Sequence, residues 1–149
     1  MTSGTIRPVA ICIFRRAREI LVVEAFDPVK GETFYRPLGG GIEFGETSAA
    51  AATREIREEV SADVTDLHYV GTLENLFVYN GEPRHEIVQV HEGRFANSAL
   101  YAAIELSGVE SDGTPFRAIW KSLDSFGSIC PLYPDGLREM LLASVRIEA

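Results

Sequence analysis

A chain of 149 residues with 24% charged, 46% hydrophobic and 9% aromatic side chains is sized for one soluble globular domain over residues 1–149. A domain of that length buries roughly 70% of its unfolded surface. Ordinary Gly (13) and Pro (7) contents exclude a fibrous or disordered chain, and no apolar run approaches the ~20 residues that cross a bilayer. A net charge of −8, from 22 acids against 14 bases, repels polyanions. It argues against a nucleic acid polymer or an anionic membrane as partner, but leaves room for a small phosphorylated ligand that arrives with cations.

The first apolar run, Val9–Phe14, is closed by Arg15-Arg16 with no small-residue cleavage pattern. No secretory signal is expected, and the cytoplasm is the expected address. Cys12 and Cys130 form no CxxC pair, which fits a reducing compartment, and Cys12 is expected to be a buried thiol.

Taken in chain order, Arg7–Phe14 and Glu19–Ala25 are β-branched apolar runs separated by a polar stretch, predicting a hairpin. Thr33–Leu38 predicts a third strand, stopped by Pro37 and the run Gly39-Gly40-Gly41. After Gly45 the period changes: Thr47 or Ser48 can cap a helix reaching about Val60. Leu67–Tyr79 and His85–Phe95 predict two strands joined by the turn Asn80-Gly81-Glu82-Pro83. A further strand is predicted at Phe116–Trp120, and a closing helix over Asp135–Val145 from the spacing of Leu137, Met140, Leu141 and Val145. Strands, helix, strands and helix add up to an α/β sandwich with a mixed sheet.

The chemistry concentrates in Gly40–Ala62. Glu55, Glu58 and Glu59 are spaced i, i+3 and i+4, so one turn of helix carries all three carboxylates on one face. Ala49, Ala52, Ile56 and Val60 gather on another side, predicted to pack on the sheet. Ser48 and Ala51 lie on the acidic face towards the N-terminus and read as clearance for a ligand. Three like charges on one turn repel each other by a few tenths of a kcal/mol per pair. Hard divalent cations offset that repulsion, since Mg²⁺ takes oxygen ligands from a few carboxylates plus substrate phosphates. The glycine run lets backbone approach closely and aim carbonyls at a ligand. Such parts suit metal-assisted hydrolysis of a phosphoanhydride.

This segment resembles the Nudix box, G-x5-E-x7-R-E-U-x-E-E-x-G-U with U a bulky aliphatic. Gly40, Glu46, Arg54, Glu55, Ile56, Glu58 and Glu59 stand at the required spacings. The chain departs at Ser61, where the family has its second glycine, and at Ala62, where it has an aliphatic. The resemblance implies a Nudix-type α/β/α sandwich and a divalent-metal-dependent hydrolase. The bond cleaved would be the pyrophosphate of a nucleoside diphosphate linked to another moiety. It implies Mg²⁺ or Mn²⁺, more than one ion per site with substrate bound. Metal ligands would be Glu55, Glu58, Glu59 and the Gly39 carbonyl, and a homodimer is common among relatives. Arg54 and Glu46 would fix the loop against the helix. The general base stays open among Glu59, Glu55 and an acid outside the box, for which Glu86, Glu92 and Glu105 are candidates.

The alternatives are a catalytically silent sensor of the same fold and an acidic structural partner. Intact box glutamates favour the enzyme over the sensor. His68, His85 and His91 share no spacing that makes a zinc site, and structural or solvent-facing roles suit them better. Phe34, Tyr35, Phe44, Phe77, Tyr79, Phe116 and Trp120 could stack on a base, yet aromatics in strands usually fill cores. None of them is expected to touch a ligand.

Overall fold

In the computed structural model, residues 4–148 are described, with side chains as far as Ser144. The strands are β1 (Ile6–Ile13), β2 (Arg15–Arg16), β3 (Glu19–Asp27), β4 (Glu32–Arg36), β5 (Leu38–Gly41), β6 (Val64–Tyr79), β7 (Glu82–Phe95), β8 (Glu105–Val109) and β9 (Pro115–Ser122). Helix α1 spans Ser48–Val60 and α2 spans Leu137–Glu148. The side chain of Val145, used above to place α2, lies outside those described. None of the described helices is long and apolar enough to cross a membrane.

One sheet runs β5-β1-β7-β6, and β1 and β7 are its parallel pair. The other runs β2-β3-β9-β8, with β4 added along β3. The architecture is the expected α/β sandwich with a mixed sheet. Period-2 alternation divides the core in two. Ala10 and Cys12 of β1 and Phe14 just after it, with Leu21 and Val23 of β3, join Ala52 and Ile56 of α1. The alternate residues Val9, Ile11, Ile13, Ile20 and Val22 turn to the other side, where Leu137 and Leu141 of α2 cover them.

The local chemistry of α1 explains its limits. The Thr47 hydroxyl accepts from the Ala50 N–H at 3.1 Å, satisfying one orphan donor of the first turn. At the other end Ser61 sits in the left-handed region (φ 55°, ψ 39°), and its N–H closes on the Arg57 carbonyl. The long β6–β7 hairpin turns at Asn80-Gly81, both with positive φ, as a two-residue turn matched to strand twist requires.

Three expectations need correction. The runs Arg7–Phe14 and Glu19–Ala25 do not form a full hairpin: β1 and β3 lie in different sheets, and only the two-residue β2, with one bond from the Leu21 N–H to the Phe14 carbonyl, folds back on β3. The glycine run does not stop a strand; with Leu38 it forms β5, paired antiparallel with Val9–Cys12. Finally, Ser48 and Ala51 clear space for the sheet, not for a ligand. Ala51 is fully buried in the core, and the Ser48 hydroxyl is 2.8 Å from Nε2 of His91 on β7. The core stripe of α1 accordingly runs through Ala51, Ala52 and Ile56, while Ala49 and Val60 are only half-buried.

Candidate active site

A cleft of about 530 Å³ opens between the two sheets, within the size range of small-molecule sites. Its inner end is where α1 crosses β5. Gly40 makes the crossing possible: a Cβ there would lie 2.5 Å from the Glu55 carboxyl carbon. Gly39, at φ 150°, presses against the Ala10 carbonyl of β1, where no side chain fits. Two consecutive glycines thus bring strand and acidic helix face together.

Glu59 is the most enclosed of the three acids, 6% exposed, and its Oε1 accepts from the Gly39 N–H at 3.2 Å. Burial, then the charges of Glu55 and Glu110, push its carboxyl up to about 8; Arg36 and the Gly39 N–H only partly offset this. Glu55 also lines the cleft. Glu58 does not: its exposed carboxylate turns to Arg54 at 3.4 Å. Among the described residues no three His, Cys, Asp or Glu side chains converge at metal-binding spacing. Glu55 and Glu59 nevertheless suit a hard cation, being oxygen donors beside a cradle that any Cβ would fill.

Arg54 holds the loop before α1. Its guanidinium donates to both Glu46 oxygens at 2.9 and 2.6 Å, to the Gly41 carbonyl at 3.0 Å and to Glu55 at 2.9 Å. Hydrogen bonding to Arg54, joined by the Glu43 N–H, holds the Glu46 carboxyl down at about 2. The same partners raise the Arg54 guanidinium above its ordinary range.

Of the acids outside the box, Glu86 lines the cleft and pairs with Arg7 at 3.3 Å. Glu92 is tied to Arg15 at 3.0 Å, and Glu105 faces Arg117 on the far edge; neither lines the cleft. Sequence reasoning missed Glu110, which follows β8, faces Glu59 and forms an ion pair with Arg36 of β4. No spacing relates Glu110 to the box, and β8 itself carries too weak a pattern to have been expected.

The outer end of the cleft is aromatic. Phe34, Phe77 and Tyr79 line it, and Phe116 lines the cleft nearer α1. Phe34 makes edge contacts with Tyr79 and Tyr133, at centroid distances of 6.1 and 5.4 Å. Trp120 and Tyr35 pack in the cores, and Phe44 projects into solvent. Overall the lining is acidic, with Glu24, Asp27, Glu32, Glu55, Glu59, Glu86 and Glu110 against Arg7, Lys30 and Arg36. An anion entering it needs cations of its own.

The family profile described as NUDIX domain matches residues 5–126, and the chain belongs to that family. A NAD-capped RNA hydrolase, NudC, of Pseudomonas putida (strain W619) is 39% identical over 67 residues, covering 45% of this chain and 24% of that protein. The oxidized purine nucleoside triphosphate hydrolase of Mus musculus is 32% identical over 98 residues, covering 66% of this chain and 54% of that protein. The chain thus matches a quarter to about half the length of these relatives. Among solved structures, the MutT NUDIX hydrolase from Burkholderia pseudomallei shares the fold with a TM-score of 0.65 at 22% identity, over 93% of this chain and 98% of that one. The E. coli ORF135 protein does so with a TM-score of 0.56 at 20% identity, over 99% and 94%.

Proposed function

We propose that the chain is a divalent-metal-dependent hydrolase that cleaves the pyrophosphate bond of a nucleoside diphosphate linked to another moiety. The observation that carries this reading is the juxtaposition in one cleft of Glu55 and Glu59 over the glycine strand with an aromatic far wall. The acids suit the phosphates and their cations, and the aromatic wall suits a flat base. Relatives named for hydrolysing NAD-capped RNA and oxidized purine nucleoside triphosphates support a nucleotide as the ligand.

Glu55 and Glu59, with Glu58 and the Gly39 carbonyl within reach of the same helix turn and strand, would hold Mg²⁺ or Mn²⁺. Such ions, more than one with substrate bound, supply neutralisation of phosphate oxyanions and a lowered pKa for attacking water. Arg54 orients Glu55 while pinning the loop through Glu46, so the acid is held in place before substrate arrives. Glu59, enclosed and bonded to the Gly39 N–H, is kept from swinging away from the strand. The Arg36–Glu110 pair sets one charge of each sign beside Glu59.

The test is a panel of nucleoside triphosphates, ADP-ribose, sugar nucleotides and dinucleoside polyphosphates, assayed with Mg²⁺ and with Mn²⁺ and products identified by mass. Metal-dependent release of a nucleoside monophosphate, or of another pyrophosphate-cleavage product, is expected. Binding without turnover of any compound would replace the enzyme with a sensor.

A further inference from the structure

Asn75 interrupts the cleft-facing side of β6. Successive residues on that face are Leu73, Asn75, Phe77 and Tyr79, an apolar and aromatic series broken by one amide. Asparagine is poorly suited to strand interiors, and here it is only 4% exposed. Its side-chain oxygen has no hydrogen-bond partner. Leaving a buried polar group unsatisfied costs more than the net gain of an ordinary hydrogen bond. A leucine would continue the stripe at no such cost, so packing does not explain the amide.

Its place in the cleft does. Cross-strand register sets Asn75 opposite Glu86 on β7, and Glu86 opposite Arg7 on β1. The Glu86 carboxylate is held by Arg7, so the amide and an oriented acceptor stand side by side. Three strand spacings, roughly 14 Å, separate β6 from the glycine strand β5. A nucleoside diphosphate covers a comparable span from its terminal phosphate to its base. A ligand with its diphosphate at Glu55 and Glu59 therefore brings its base to Asn75, flanked by Phe77 and Tyr79.

We infer that Asn75 is the specificity-determining residue that reads the hydrogen-bonding edge of the base. An amide both donates and accepts, and so pairs with an edge that carries an N–H beside an acceptor, as asparagine does with adenine. The base satisfies the orphaned oxygen, and a base with the wrong edge leaves it buried and unpaired. The inference rests on the nucleotide reading above but not on turnover.

The experiment measures binding of adenosine, guanosine, cytidine and uridine to the intact chain by NMR titration, without divalent metal. Nucleosides carry no phosphate, so the inner end of the cleft does not enter. The wild-type protein should separate the best from the worst base by about tenfold or more. Asn75→Leu should compress that spread to within about threefold, chiefly by weakening the best base, while its melting temperature holds or rises. Asn75→Gln, which keeps the amide on a longer arm, should retain part of the preference. Equal binding of all four nucleosides by wild type, no binding of any, or an unchanged spread in a folded Asn75→Leu would each overturn the inference. Base-selective binding without hydrolysis of any diphosphate compound would sink the proposed reaction and leave Asn75 in its role. Hydrolysis with base preference unaltered by Asn75→Leu would do the reverse.

Discussion

The inner end of the cleft, where α1 crosses β5, and the outer end, where β6 looks across to β4, are assembled from different distances along the chain. The box acids and glycines of the inner end come from the continuous stretch Gly39–Glu59, with Glu110, Arg36 and the β1 backbone set against them. The outer end draws Phe34, Asn75, Tyr79, Glu86 and Tyr133 from segments that meet only in the folded sheets. A compact helix and strand can hold a fixed donor set, as metal and phosphate chemistry requires. Residues spread over several strands can each change without disturbing that set, which suits the part of a site that chooses among ligands.

The division can be broken most forcefully at the inner end. Glu59→Gln and Glu55→Gln should each lower kcat on the best panel substrate by roughly 10²–10⁴, since each deletes one charge from the cation site and keeps the shape. Nucleoside preference should not move. Glu58→Gln, whose carboxylate lies outside the cleft, should lose less than either. A rate within threefold of wild type for both Glu55→Gln and Glu59→Gln would remove these acids from the reaction.

Gly40→Ala probes the same crossing through the backbone. The added Cβ must displace the Glu55 carboxylate, so activity should fall by about 10- to 100-fold. The side chain can swing aside, so the melting temperature should shift by only a few degrees. A fall in activity that also alters base preference would show that the two ends are not independent.

Glu46 tests how the loop is anchored. Its folded-state carboxyl is depressed from 4.5 to about 2, so its contribution to stability is present above pH 4.5 and is lost as pH falls towards 2. Urea midpoints of wild type and Glu46→Gln should therefore differ near neutrality and converge as the medium is acidified through that window. A constant difference would mean that the Arg54 pairing does not carry the effect.

The smallest effect is expected at Ser61, beyond both ends. A serine in the left-handed region carries strain of roughly 1 kcal/mol that glycine does not. Ser61→Gly should raise the urea midpoint accordingly and leave kcat and base preference alone. A lower midpoint would mean that loss of unfolded-state restriction outweighs relief of strain.

Much of the fold was legible where signals are local. Thr47 or Ser48 as cap and the alanine-rich run after them marked α1 closely, and Asn80-Gly81 marked the β6–β7 turn, because caps and tight turns depend on a few adjacent side chains. Partner choice was not legible: the alternation in Arg7–Phe14 says strand but not which strand lies beside it. The glycine strand was read as a break because glycine has poor strand propensity, and its pairing with β1 depends on the helix that must approach it. The box residues could be found by spacing alone, whereas Asn75 and Glu110 acquire meaning only from what the sheets set opposite them.

Four hydrogen bonds tie Arg54 to three separate segments of the chain. Its planar guanidinium touches a loop carboxylate, a strand carbonyl and a helix carboxylate at once, so three segments turn together as a single rigid lever. A lysine would keep the charge but cannot span those directions, because an ammonium lacks the flat fork. With lysine in that place the segments would be free to drift apart between encounters with substrate. Arginine thus shifts the ordering of the inner cleft into folding itself, and each ligand meets a surface whose shape is already decided.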